Sequence, residues 1–212
     1  MNRIIHHIRP ELLTAWVSGN LPAPFAVVVA SHVAMCAECR AASGAAQSLG
    51  GALLDQLAPS TLAPDALSRA LAALDQPRPR LPQPIRRAGI FPSPLMEVLG
   101  GQPPRWKMLG GGIRQQILLR EPEGSLRLLY IPQGRKVPEH GHGGMELTLV
   151  LQGSFSDRHG HFAVGDVEDA HDDVDHQPIA GMGEACICLA ATDAPLRFRA
   201  LLPRMLQPLF RI

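Results

Sequence analysis

Two groups of metal-seeking side chains stand out in this chain of 212 residues. His140 and His142 are separated by one residue, and Glu146 follows four residues later. In a β-strand, side chains at i and i+2 share a face, so the two imidazoles can converge on one point. Glu146 can join them from the next turn of the chain. Two imidazoles and a carboxylate suit a divalent transition metal such as zinc, iron, manganese or nickel. The second group is His32-x3-Cys36-x2-Cys39. A spacing of four puts His32 and Cys36 on one face of a helix, and Cys39 is near enough for both thiolates to share an ion. Soft thiolates with an imidazole favour tetrahedral zinc. A structural zinc wants a fourth ligand, and His6 and His7 are the upstream candidates. Cys36 and Cys39 also have the spacing of a thioredoxin-type redox pair. That motif follows a strand in a βαβ unit, whereas the preceding Pro24–Met35 run is too long for a short edge strand.

Glycines frame the first group, giving Gly134-x5-His140-x-His142-x3-Glu146-x6-Gly153. This pattern resembles the first motif of the cupin superfamily. The stretch from Gly165 to His176 resembles the second motif, Gly-x5-Pro-x-Gly-x2-His, with His171 at the proline position and Asp173 at the glycine position. Those two positions shape a turn, so the register of His176 survives the departures. The resemblance implies a small antiparallel β-barrel holding a metal through His140, His142, Glu146 and His176.

The front of the chain is similar to zinc-binding anti-sigma factors. His-x3-Cys-x2-Cys lies in a short helical segment, after the His6-His7 pair and before a cupin. That order resembles the ChrR-type anti-sigma factors over nearly the whole chain. The resemblance implies a zinc held by His7, His32, Cys36 and Cys39, with His6 a solvated neighbour. It also implies a partner, a bacterial sigma factor of the extracytoplasmic-function group.

Elements must position these residues. Pro10–Ser18 reads as a helix with proline in its first turn, and helices are expected over Pro24–Met35, Glu38–Leu57 and Pro64–Asp75. In the last, Leu67, Ala70, Leu71 and Leu74 recur at i, i+3, i+4 and i+7, a single apolar stripe. The stripe either packs on its own bundle or lies in a partner's groove. Residues 1–75 are thus expected to form a zinc-stapled bundle of four helices, because so few residues need such a staple. Residues 76–104 carry eight prolines, which block helices and central strands, and read as an extended, basic, solvated linker. From residue 105 the signals turn to strands, expected at 112–119, 125–131, 146–153, 161–164 and 184–191. The fold expected is multidomain α plus β: a small zinc-binding helical bundle followed by an all-β cupin barrel over 105–212. Six acidic residues between Asp166 and Asp175 read as a solvated loop or as groups that tune the nearby site, the loop being favoured. Cys186 and Cys188 share a strand face and are either apolar filler or an oxidisable pair.

The net charge of +1 gives no argument for direct nucleic-acid or membrane binding. The most apolar window, Phe25–Met35, is far short of the roughly 20 residues that span a bilayer. The start lacks the pattern of a secretory leader, and the cysteine spacing does not suggest a disulfide framework. A cytoplasmic protein is expected. The expected function is an anti-sigma factor whose N-terminal zinc domain sequesters the sigma factor. The resemblance implies that its cupin responds to singlet oxygen or organic hydroperoxide. The alternatives are a cupin dioxygenase or isomerase, or a metal-storage or metal-sensing protein. Self-association through the cupin sheets is compatible with either.

Overall fold

The computed structural model describes residues 3–77, 83–141, 143–171, 176–195 and 197–198. Three helices open the chain: α1 (Pro10–Val17), α2 (Ala23–Met35) and α3 (Ala37–Asp55). Proline in the first turn starts both α1 and α2, where its missing N–H costs nothing. Cys36 has an extended backbone (φ −102°, ψ 115°) that ends α2, and its thiol accepts the Cys39 N–H as the N-cap of α3. The axes of α2 and α3 therefore bend by 114° at Cys36. The sequence expectation placed His32 and Cys36 on one helix face; Cys36 instead occupies the break between two helices. No single described helix is long and apolar enough to cross a membrane.

Two more helices follow, α4 (Ala66–Leu74) and α5 (Ser93–Val98). A four-helix bundle is not what forms, because α4 buries none of its residues. Proline density suggested an extended, solvated segment through residue 104. Pro94 falls instead in the first turn of α5, where proline is tolerated, and Leu95 and Met96 are buried.

The strands are β1 (Lys107–Gly110), β2 (Ile113–Glu121), β3 (Gly124–Ile131), β4 (His140–Gly141), β5 (Glu146–Gln152) and β6 (Ser154–Ser156). They continue as β7 (His161–Ala163), β8 (Val167–Ala170), β9 (Ile179–Ala180), β10 (Cys186–Thr192) and β11 (Arg197–Phe198). They pair as a six-stranded sheet β1-β2-β3-β10-β5-β8, a three-stranded sheet β7-β6-β9 and a pair β11-β4. The described strands all pair antiparallel. The β-rich domain is as expected, but the described strands form three sheets rather than one closed ring.

Alternation along the central strands sorts the core into two layers. Leu126 and Leu128 of β3, Leu147, Leu149 and Leu151 of β5, and Ile187, Leu189 and Ala191 of β10 face the helices. They share one cluster with Phe25, Val28 and Val29 of α2 and with Leu95 of α5. The opposite face of the large sheet meets the three-stranded sheet through Val150, Cys186, Cys188, Phe155 and Phe162. The helical segment and the large sheet thus share a core, and α2 is the helix wedged between the two. Phe25, Val28, Val29 and His32, spaced i, i+3, i+4 and i+7, are almost fully enclosed and make up the inner face of α2.

Candidate metal centres

The first cluster gathers at the α2–α3 break. Ligand atoms of His7, His32, Cys36 and Cys39 all lie within 4.8 Å of one another. His32 Nε2 is 3.2 Å from Cys39 Sγ, and His7 Nδ1 is 3.4 Å from Cys36 Sγ and 3.7 Å from Cys39 Sγ. Two ligands at ordinary zinc–sulfur and zinc–nitrogen lengths, set tetrahedrally, stand about 3.5 Å apart. The donor set therefore fits a tetrahedral zinc. His6 lies outside it: its Nδ1 is 3.5 Å from Asp166 and its ring contacts Phe162.

Each histidine of this set has its second nitrogen occupied. His32 Nδ1–H donates to the Gly165 carbonyl at 2.8 Å, which fixes the tautomer and leaves Nε2 free to ligate. His7 Nε2 is 3.4 Å from the Glu38 carboxylate. Burial is the largest influence on His32 and, despite the opposing Gly165 bond, pushes its pKa down to about 4. Burial likewise pushes the metal-free Cys39 thiol up to about 11. His32 is thus held neutral, the form that ligates.

A pH prediction follows for the metal-free chain. An unfolded histidine titrates near pH 6.5, so the folded value lies below the unfolded one. His32 then imposes no stability loss above pH 6.5 and a growing loss as pH falls toward 4. Comparing wild type with His32→Asn by urea unfolding at both pH values should show this: the stability advantage of the wild type shrinks on acidification. An advantage that grows would contradict a buried neutral imidazole.

The second cluster lies between the two sheets. His140, Glu146 and His176 bring ligand atoms within 4.8 Å of one another, and all three residues are buried. His140 Nε2 and His176 Nε2 face each other at 3.1 Å, the separation expected of two imidazoles on one metal ion. His140 Nδ1–H donates to the Pro138 carbonyl, again leaving Nε2 for ligation. Thr148 Oγ1–H donates to Glu146 at 3.0 Å and fixes its carboxylate. Glu146 and Thr148 share the inner face of β5 with Val150, consistent with alternation. His142 and Asp173 lie outside the described residues.

Sequence reasoning missed the support behind His176. Its Nδ1 is 2.8 Å from Asp157 and 3.1 Å from Glu168, a carboxylate–histidine arrangement that orients metal-ligating imidazoles. Burial opposes charge on His176, but the Glu168 hydrogen bond and charge, with Glu146 and Asp157, raise its pKa to about 9. Burial raises Glu168 to about 7, while hydrogen bonds from Glu168, the His159 N–H and His176 outweigh burial and keep Asp157 low. Of the two carboxyls, Glu168 therefore holds a proton more readily. Its position in an acidic run hid this role. The run was expected to be solvated, yet Asp166 is 2% exposed and Glu168 5%.

Cys186 and Cys188 share the inner face of β10 with their sulfurs 3.3 Å apart. The bond with Cys186 and then burial push Cys188 well up, which keeps that thiol protonated and poorly nucleophilic.

The ChrR cupin-like domain family matches residues 101–195. The anti-sigma-E factor ChrR of Cereibacter sphaeroides is 49% identical over 212 residues, covering 99% of each chain. The chain belongs to the ChrR family of anti-sigma factors. A chain in the crystal structure of Rhodobacter sphaeroides SigE in complex with the anti-sigma ChrR is also similar. It matches at a TM-score of 0.77 and 44% identity, over 90% of this chain and 100% of that one. The ChrR cupin-like match contains His140, Glu146 and His176, and leaves His7, His32, Cys36 and Cys39 in the helical segment before it.

Proposed function

We propose that this chain is an anti-sigma factor that sequesters an extracytoplasmic-function sigma factor in the cytoplasm and releases it on an oxidative signal. The observation that carries the reading is the match, over 90% of the chain, to the SigE–ChrR complex structure. Physical features of the helical segment support it. Zinc held by His7, His32, Cys36 and Cys39 would tie the N-terminal segment to the α2–α3 break. Beyond that staple, the described residues include apolar side chains that no other described residue buries. Leu67, Leu71 and Leu74 of α4 are 72%, 55% and 76% exposed, and Leu49, Leu53 and Leu54 near the end of α3 are also exposed. A nine-residue helix with no buried residue is marginal alone, since isolated helices shorter than about 12 residues are rarely stable in water. Laying its leucine face in a groove of the sigma factor would supply the missing packing.

The cupin half is the proposed sensor. A divalent transition metal, zinc included, fits His140, Glu146 and His176, with His142 as a fourth proposed ligand. Singlet oxygen or an organic hydroperoxide is the proposed signal, arriving between the sheets near Cys186 and Cys188. An enzyme reading gives no role to the Cys/His cluster or to the uncovered leucines. The test is direct: mix the chain with the extracytoplasmic-function sigma factor of its own organism and weigh the product by light scattering. A one-to-one complex is expected; two separate species at micromolar concentrations would remove the reading.

A further inference from the structure

The turn between β7 and β8 belongs to the cupin-like domain, yet its polar groups are spent on the N-terminal metal cluster. Gly165 supplies the carbonyl that holds His32 Nδ1. Asp166 Oδ1 accepts the backbone N–H groups of Ile5 at 2.8 Å and His6 at 3.0 Å, the two residues just before the ligand His7. Its Oδ2 accepts the Ala163 N–H at 2.9 Å, so the carboxylate is tied to its own turn and to the N-terminal segment at once. Val167 N–H then donates to the His6 carbonyl at 3.2 Å, and Arg9 pairs with Asp169. Gly165 has φ +94°, and a Cβ there would meet Ile4 Cδ1 at 2.5 Å. The positive φ favours glycine at this turn.

Strand alternation carries the contact further. Val167 and Asp169 of β8 face the N-terminal segment, and Glu168 between them reaches His176 in the cupin cluster. One short strand therefore meets the segment that leads into His7 on one side and the ligand His176 on the other.

We infer that Asp166 is a positioning residue for the N-terminal metal centre, a clamp through which the cupin-like domain holds the His7 segment against His32, Cys36 and Cys39. Two hydrogen bonds from one buried carboxylate to the backbone beside His7 fix where its imidazole can reach. Movement of β8 that withdraws Asp166 loosens that ligand without touching the thiolates.

The test uses the full-length chain alone, with no sigma factor present, so its outcome does not depend on the partner proposed above. Cobalt(II) loaded in place of zinc reports the thiolate site specifically, because only Cys36 and Cys39 give a sulfur-to-metal charge-transfer band there. Chelator-driven loss of that band is timed in wild type, Asp166→Ala and Asp166→Asn. Each hydrogen bond to a charged group corresponds to about ten-fold in an equilibrium. Asp166→Ala should release cobalt at least about ten-fold faster. Asp166→Asn keeps an oxygen for Ile5 and His6 but cannot accept from Ala163, so it should fall between the two. A general weakening of the fold would instead also speed loss of the thiolate-free cupin signal, which the clamp leaves unchanged. Release within two-fold of wild type for both variants would overturn the inference, as would equal acceleration at both sites. If Asp166→Ala fails to fold, Asp166→Asn decides alone, by a faster or an unchanged thiolate-site rate.

Discussion

Replacing Leu67, Leu71 and Leu74 together by alanine is expected to weaken sigma-factor binding at least about tenfold while leaving the chain's own stability nearly unchanged. Burying a leucine side chain contributes about 1.5–3 kcal/mol. If the interface realises only about a third of that at each position, roughly 1.5–3 kcal/mol is lost over the three, which is about tenfold to a hundredfold in affinity. Alanine is the right probe because it has the highest helix propensity, so a loss of binding cannot be assigned to a weaker α4. All three leucines are more than half exposed, and surface changes usually stay within about 0.5 kcal/mol of neutral. Titration calorimetry beside thermal unfolding separates the two quantities. Affinity within three-fold of wild type would place the sigma contact elsewhere.

The other large effect belongs to Cys36. Cys36→Ala removes a thiolate from the four-ligand set and the acceptor that caps α3 through Cys39 N–H. Structural zinc in small domains contributes on the order of 10 kcal/mol, far more than the roughly 1 kcal/mol of a cap. The variant should lose one equivalent of zinc and the order of the N-terminal segment and α3, and with them sigma binding. The loss should also be confined. The inner face of α2 packs on Leu126, Leu149 and Leu189 of the large sheet, contacts that do not involve the cluster. Hydrogen exchange should show fast amides in residues 4–9 and in α3, with β3, β5 and β10 still protected. Uniform loss of protection would mean that the zinc centre supports the whole fold; uniform retention would mean that it supports nothing.

Much of this was legible in the sequence because it rests on local spacing. Helix starts followed prolines 10 and 24, and the five expected strands all formed within two or three residues of their expected bounds. His32, Cys36 and Cys39 lie together, though across a helix break rather than on one helix face, and His176 joins His140 and Glu146 where the cupin resemblance put it. What was hidden depends on contacts between distant segments. Asp166 and Glu168 look like members of a solvated acidic run, and only the docking of the N-terminal segment on one side of β8 and His176 on the other buries them. Asp157 and Glu38 carry no motif and act only through a histidine elsewhere. The residues 93–98 helix was masked by proline density, because Pro94 in a first turn reads the same as Pro94 in an extended chain. The shared core was also out of reach, since nothing local in the apolar pattern of α2 says what covers it.

Transcription in vitro reads sequestration of the sigma factor without an intermediate. Core RNA polymerase, the cognate extracytoplasmic-function sigma factor and its promoter are mixed with increasing amounts of the zinc-loaded chain. Transcripts should fall to background at one equivalent of chain per sigma factor, and Cys36→Ala at the same level should leave them intact. Undiminished transcription at a several-fold excess of the wild-type chain would contradict sequestration.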